Sequence, residues 1–197
     1  VSDLNADGRP DVAAVKTGTG TPSHGISLFM GTSSGRLGSE VPVQTADAWY
    51  VAAADFAGSA EPDLVTWSRE SSTLQRYETD INDYGFLTLV SRASLSGTTL
   101  PTGKNMVVGF GDADGDGVTD TVRAFETGLH VHRGDGAGGF IDETTLTTAF
   151  QVTDLAMGDL DADGRDDAVV AGSVSGSGRF QTFLGDGSSV VIPGATV

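Results

Sequence analysis

Asp159-Leu160-Asp161-Ala162-Asp163-Gly164-Arg165-Asp166-Asp167 is the stretch on which the fold turns. Its pattern returns as Asp112-Ala113-Asp114-Gly115-Asp116-Gly117-Val118-Thr119-Asp120 and as Asp3-Leu4-Asn5-Ala6-Asp7-Gly8-Arg9-Pro10-Asp11. All three obey the rule D-x-[DN]-x-D-G-x-x-D. Side chains at the first, third and fifth positions point oxygens inward round a tight turn. Glycine at the sixth permits the backbone to reverse, and the acid at the ninth closes the cage. A small loop offering only oxygen ligands is what a hard cation such as Ca²⁺ selects.

An EF-hand begins the same way but needs a bidentate Glu at its twelfth position. That position holds Ala14, Arg123 and Val170, so the EF-hand is rejected. Each loop instead runs into a short apolar stretch: Asp11–Val15, Asp120–Val122 and Asp167–Ala171. Valine-rich runs bounded by Gly and Asp read as strands, which puts the ninth-position acid at a strand's mouth.

The spacing exposes a repeat. Loop starts at 3, 112 and 159 leave one gap about twice the other, and a fourth copy is expected near 55. Asp55-Phe56-Ala57-Gly58-Ser59-Ala60-Glu61-Pro62-Asp63 keeps the first and last acids and is followed by Leu64–Trp67. Ala57, Ser59 and Ala60 replace the middle carboxylates and the glycine, so this loop is expected to fold without metal. Strands also precede three of the loops, over 49–55, 106–110 and 152–157. A third strand ends in a glycine turn at 25–31, 128–134 and 178–185, while the second unit offers Leu74–Tyr77 and the turn Asn82–Gly85. With a fourth strand in each, the units read as four-stranded propeller blades near 1–46 (first strand missing), 47–103, 104–150 and 151–197.

These loops, the strand before them and the Gly-Asp-Gly turns at 134–136 and 185–187 resemble FG-GAP/VCBS repeats, the units of integrin-α-type β-propellers. The resemblance implies one Ca²⁺ per complete loop, three in all. It implies Asp3, Asn5, Asp7 and Asp11 as ligands in the first loop, with the backbone carbonyl of Arg9. The corresponding sets are Asp112, Asp114, Asp116 and Asp120 with the carbonyl of Val118, and Asp159, Asp161, Asp163 and Asp167 with that of Arg165. Asp166 would point outward. Family propellers usually have seven or eight blades, so the four here imply part of a ring, completed by a missing segment or a second chain. The tail Ser188–Val197 would supply the last blade's fourth strand.

Composition bounds the alternatives. The 197 residues, 28 of them glycine, suit an all-β domain, and no apolar run is long enough for a membrane helix. The chain opens inside the first loop, so no signal peptide is expected within it, and without cysteine the redox compartment is left open. A net charge of −16 argues against nucleic acid. Much of it is local, because the three loops place three, four and four carboxylates at ligand positions, 11 of the chain's 27 acids. Three Ca²⁺ would bring the net to about −10.

Other motifs read more plainly. Arg133-Gly134-Asp135 spells the tripeptide that integrins recognise, yet occupies a turn the repeat itself demands. His130 and His132 alternate on one strand face and could chelate a transition metal, but no third ligand accompanies them. Trp49, Tyr50, Trp67 and Tyr77 could stack on a sugar or pack a sheet. There is no cysteine nucleophile and no G-x-x-x-x-G-K-[ST] phosphate loop. Expected, then, is a non-enzymatic, calcium-stabilised module, secreted or on the cell surface, binding protein or glycan through its loops. The alternative is the propeller portion of a secreted, polysaccharide-lyase-like enzyme.

Overall fold

The computed structural model describes residues 1–17, 24–43, 48–56, 58, 62–68, 73–81, 87–94, 106–187 and 191–196. Ala57, Ser59, Ala60 and Glu61 of the second loop, the turn 82–85, and residues 188–190 and 197 of the tail lie outside them. The chain is all-β. Among the described residues the strands form four antiparallel sheets, each built from strands consecutive in sequence. Two compact units, Val1–Gly103 and Lys104–Val197, carry two sheets apiece. Among the described residues no helix is long and apolar enough to cross a membrane.

In the first unit, β1 (Val12–Thr17), β2 (His24–Gly31) and β3 (Leu37–Val43) form a three-stranded sheet. Beside it in sequence, β4 (Ala48–Ala54), β5 (Asp63–Ser68), β6 (Thr73–Ile81) and β7 (Leu87–Ser94) form a four-stranded one. Leu4, Ile26, Leu28, Ala48, Leu64 and Tyr77 make the unit's core. In the second unit the order is β8 (Val107–Gly111), β9 (Asp120–Phe125), β10 (Gly128–Gly134) and β11 (Phe140–Thr147). The last sheet runs β12 (Gln151–Gly158), β13 (Asp167–Val174), β14 (Ser177–Gly185) and β15 (Val191–Thr196). The tail strand β15 pairs with β14.

Period-two burial explains why these runs are strands. Val122 and Ala124 on β9, Leu129 and Val131 on β10, and Ala168 and Val170 on β13 point into one cluster with Phe150, Val152 and Phe183. Each fully buried Val or Phe contributes roughly 1.5–3 kcal/mol, and branched side chains fit the pleat.

The sheets share one register at the loop. Gly111 pairs with Asp120, Gly158 with Asp167 and Ala54 with Asp63. In the first sheet an isolated bridge between Ser2 and Asp11 takes the same place, so Ser2 stands where the other sheets carry the end of a whole first strand. The ninth-position acid therefore always opens the second strand, opposite the residue that enters the loop.

The third strand must then pass close to the loop. A Cβ on Gly31 would lie 2.5 Å from the carbonyl oxygen of Pro10, and one on Gly134 2.5 Å from that of Thr119. Both are backbone atoms, so the contact cannot be relieved by a rotamer change. Gly134→Ala is predicted to destabilise the fold by about 2 kcal/mol or more in chemical denaturation, through forced backbone displacement. Gly178→Ala, where the added carbon meets nothing within 4 Å, should stay within about 0.5 kcal/mol of wild type.

Candidate metal centre

The buried aspartate at the ninth position is the anchor of each loop. Asp11, Asp63, Asp120 and Asp167 are at most 1% exposed. One carboxylate oxygen accepts the backbone N–H of the loop's second residue: Leu4 at 2.9 Å, Phe56 at 3.2 Å, Ala113 at 2.9 Å and Leu160 at 2.8 Å. In the three complete loops the other oxygen accepts the N–H of the third-strand glycine, Gly31 at 2.7 Å, Gly134 at 2.9 Å and Gly185 at 2.8 Å. A single side chain thus ties loop, second strand and third strand together.

The first-position acid organises the turn. Asp3, Asp112 and Asp159 each accept the N–H of the fifth residue through Oδ1 and that of the sixth-position glycine through Oδ2. Asp7, Asp116 and Asp163 accept the seventh residue's N–H. Gly8, Gly117 and Gly164 have φ of 80°, 84° and 88°, as the sequence pattern requires. The fourth position is left-handed too, with φ of 51° at Ala6 and 62° at Ala162. An alanine there is strained by roughly 1–2 kcal/mol, and nothing in the pattern announced it.

These turns bring carboxylates together. Ligand oxygens of Asp112, Asp114 and Asp116 lie within 4.8 Å of one another, as do those of Asp159, Asp161 and Asp167. Oxygens around one Ca²⁺ sit about 2.3–2.6 Å from it, so ligands of a shared ion fall within such a span. The first loop's Asp3, Asp7 and Asp11 are not gathered in this way: Asn5 stands third there, and its amide donates to Asp7 Oδ2 at 3.0 Å. Crowding leaves an electrostatic mark on the third loop. Burial pushes the Asp120 carboxyl up to about 6, against the N–H donors of Gly134 and Ala113, and the Asp114 and Asp116 charges add to the rise. Asp114 is raised as well, first by burial and then by Asp116 and Asp112. Carboxylates whose burial and mutual repulsion outweigh their hydrogen bonds fit a cation, and the all-oxygen donor set fits Ca²⁺.

Arginines complete the picture in a way the sequence reading missed. The loop pattern gives Arg9 and Arg165 only a backbone carbonyl. Their side chains fold back so that Nη2 pairs with Asp7 and Asp163, while Nε donates to the carbonyls of Gly31 at 2.9 Å and Gly185 at 3.2 Å. Val118 cannot do this, and Arg133 places Nη1 3.7 Å from Asp114 Oδ2 instead.

The second loop is built differently. Asp55 Oδ1 accepts the N–H of Gly58 at 2.7 Å. Where the other sheets have the third-strand glycine, β6 carries Thr79, whose hydroxyl donates to the carbonyl of Pro62 at 2.9 Å. Asp63 pairs instead with Arg76, Nη1 to Oδ2 at 2.9 Å, both side chains at most 9% exposed. A buried guanidinium here stands beside the anchor acid.

One expectation is corrected, and the readings of several other motifs are decided by their contacts. Asp166 does not point outward: its carboxylate accepts the backbone N–H of Asp112 at 2.9 Å. Trp67 and Tyr77 are buried in the first unit and cannot stack on a sugar, whereas Trp49 is 40% exposed. A register shift between Ala48 and Tyr50 makes Trp49 a bulge residue, which re-aims its side chain. His130 stacks on Phe125 with ring centroids 4.7 Å apart, and its Nδ1 meets Thr145. His132 is buried against Arg123, so the two rings have separate partners and join no cluster of potential metal ligands among the described residues. In Arg133-Gly134-Asp135, Gly134 bonds Asp120 and Asp135 caps Ala137 and Gly139 at 2.8 and 2.7 Å, so the tripeptide serves its own turn. Gly31-Thr32-Ser33-Ser34-Gly35 spells the G-x-S-x-G of a nucleophile elbow, but that device needs a strand–turn–helix. Here the stretch is the hairpin between β2 and β3.

Comparisons with known proteins bear on the repeat and on the fold. Residues 112–170 match the FG-GAP-like repeat family, spanning the third loop, strands β9 to β12 and the fourth loop. The fold is propeller-like: a lectin of Agrocybe aegerita, described as recognising non-reducing terminal N-acetylglucosamine, superposes with a TM-score of 0.60 at 14% identity. That match covers 96% of this chain and 52% of the lectin. The TcdB2–TccC3 structure gives 0.52 at 19% identity, over 87% of this chain and 9% of that one. The chain therefore spans about half the length of the lectin and a small part of the other structure. No curated protein matches it.

The Arg76–Asp63 pair yields a test. Arg76→Met should cost about 3–5 kcal/mol in urea denaturation, because it strands a buried carboxylate. Adding Asp63→Asn should recover much of that loss. Equal destabilisation by the single and double variants would show that the pair is not the cause.

Proposed function

We propose that this chain is a calcium-stabilised interaction module whose four sheets are blades of one propeller, non-enzymatic in itself and binding glycan through its exposed strand ends and loops. The observation that carries the reading is the gathering of Asp112, Asp114 and Asp116, and again of Asp159, Asp161 and Asp167, at the first turn of a sheet, on a chain with an FG-GAP-like repeat over residues 112–170. Asp3, Asn5, Asp7 and Asp11 would hold one ion, Asp112, Asp114, Asp116 and Asp120 a second, and Asp159, Asp161, Asp163 and Asp167 a third. The carbonyls of Arg9, Val118 and Arg165 would add a ligand each. Bound calcium supplies positive charge and coordination where carboxylates otherwise repel. The loop from Asp55 to Asp63 would stay metal-free, with Arg76 balancing its anchor acid. Weak sites of this type stay filled at millimolar calcium, which supports an extracellular location.

Glycan is the favoured ligand because Trp49 is turned outward by a bulge, offering a flat apolar face of the kind a sugar ring stacks on. The lectin likeness supports this at the level of fold.

Each site adds about 1.4 kcal/mol of stability per tenfold excess of calcium over its dissociation constant. EDTA is predicted to lower the melting temperature by about ten degrees or more, and an unchanged melting curve would contradict the metal reading. On a glycan array with calcium, a defined set of terminal sugars should be retained, and Trp49→Ala should weaken that binding at least about tenfold. Shortening of polysaccharide chains by the purified protein would favour the enzymatic alternative.

A further inference from the structure

Asp166 occupies a position that, by the loop pattern, has no ligand role. Yet it makes two bonds to one residue of the neighbouring sheet in its unit. Its backbone N–H donates to the carbonyl of Asp112 at 2.7 Å, and its Oδ2 accepts the N–H of Asp112 at 2.9 Å. Asp112 is the first residue of the third loop, and its carboxylate gathers the N–H groups of Gly115, Asp116 and Gly117. Asp166 itself immediately precedes Asp167, the anchor acid of the fourth loop, which holds Leu160 and Gly185.

The surroundings are shaped for this clasp. A Cβ at Gly111 would lie 2.5 Å from Asp166 Oδ2, and one at Gly185 2.6 Å from the carbonyl oxygen of Ala113. Glycine at both places lets the fourth loop close on the third. The Arg165 side chain also lies beside Gly115, its Cγ 3.0 Å from where a Cβ would stand. The equivalent residues of the first two loops are Pro10 and Pro62, which have no N–H to donate and no carboxylate to accept. The double bond is thus written into the sequence of the fourth loop in a way the first two lack.

We infer that Asp166 is a positioning residue that couples the third and fourth metal loops, so that calcium at either one raises the affinity of the other. This rests on the calcium reading of the loops. Binding at the fourth loop fixes the peptide around Asp167, and through Asp166 fixes the backbone of Asp112. The ordering cost at the third loop is then already met, and linkage makes the effect reciprocal. The first loop, in the other unit and without such a clasp, binds independently.

The test is a calcium titration of the whole chain followed by ¹H–¹⁵N spectra, with Gly8, Gly117 and Gly164 reporting on the three loops separately. In wild type, Gly117 and Gly164 are expected to titrate together. Disabling the fourth loop with Asp161→Asn and Asp163→Asn should weaken binding at Gly117 about tenfold and leave Gly8 unchanged. Asp166→Ala should reduce that coupling to about twofold or less. Asp166→Asn keeps an accepting oxygen without the charge and should retain the coupling, which separates the clasp from a general loss of negative field. If the fourth-loop variant does not fold, the separation of the Gly117 and Gly164 midpoints in Asp166→Ala reads the same quantity with both loops intact. Independent titration in wild type, or full coupling in Asp166→Ala, overturns the inference while leaving the metal sites standing. No calcium-dependent shift at any of the three glycines overturns the metal reading itself.

Discussion

In three of the four sheets, a buried aspartate with both oxygens engaged is the constraint on which the sheet depends. Asp11, Asp120 and Asp167 sit at the start of a second strand and hold the loop on one oxygen and the third strand on the other. A charged side chain is costly to bury, and at Asp120 the hydrogen bonds offset only part of that cost, as its raised carboxyl indicates. The loops answer by wrapping acceptor-rich turns round a site that a cation can fill. The strand pairing, the close-approach glycines and the loop turns are consequences of the same placement.

Comparison of the four loops shows how the constraint is met in two ways. Three loops carry the acidic pattern, two of them with three carboxylates gathered, and all three keep glycine at the third-strand contact and an arginine beside a loop acid. The second loop keeps the anchor but supplies Arg76 from β6 and Thr79 in place of glycine. A guanidinium fixed by the chain stands beside the anchor acid of the second loop, whereas the carboxylate clusters of the third and fourth loops leave an all-oxygen site that a cation could fill.

Much of this was legible in the sequence because the repeat is local and strict. D-x-[DN]-x-D-G-x-x-D fixed the turn, the valine runs fixed the strands after it, and the spacing located the weak copy at Asp55. What stayed hidden depends on contacts between residues far apart in the chain. Asp166 looked solvent-facing because its partner, Asp112, belongs to another repeat and bonds through its backbone. Arg9 and Arg165 had a visible backbone role, but their side chains reach carbonyls of the third strand that no loop pattern contains. The left-handed alanines at 6 and 162 escaped because the pattern demands glycine only two residues later. Trp67 and Tyr77 carry the same composition signal as Trp49, and only the register of β4, β5 and β6 separates core from surface.

The most direct measurement is a crystal structure grown in calcium, with anomalous difference density recorded at a wavelength where calcium scatters. One peak within each of the loops starting at Asp3, Asp112 and Asp159, bounded by the named oxygens, and none at the loop starting at Asp55, is the predicted result. Featureless density at all three cages under millimolar calcium would contradict it, leaving an acidic β-protein whose turns are held by hydrogen bonds alone.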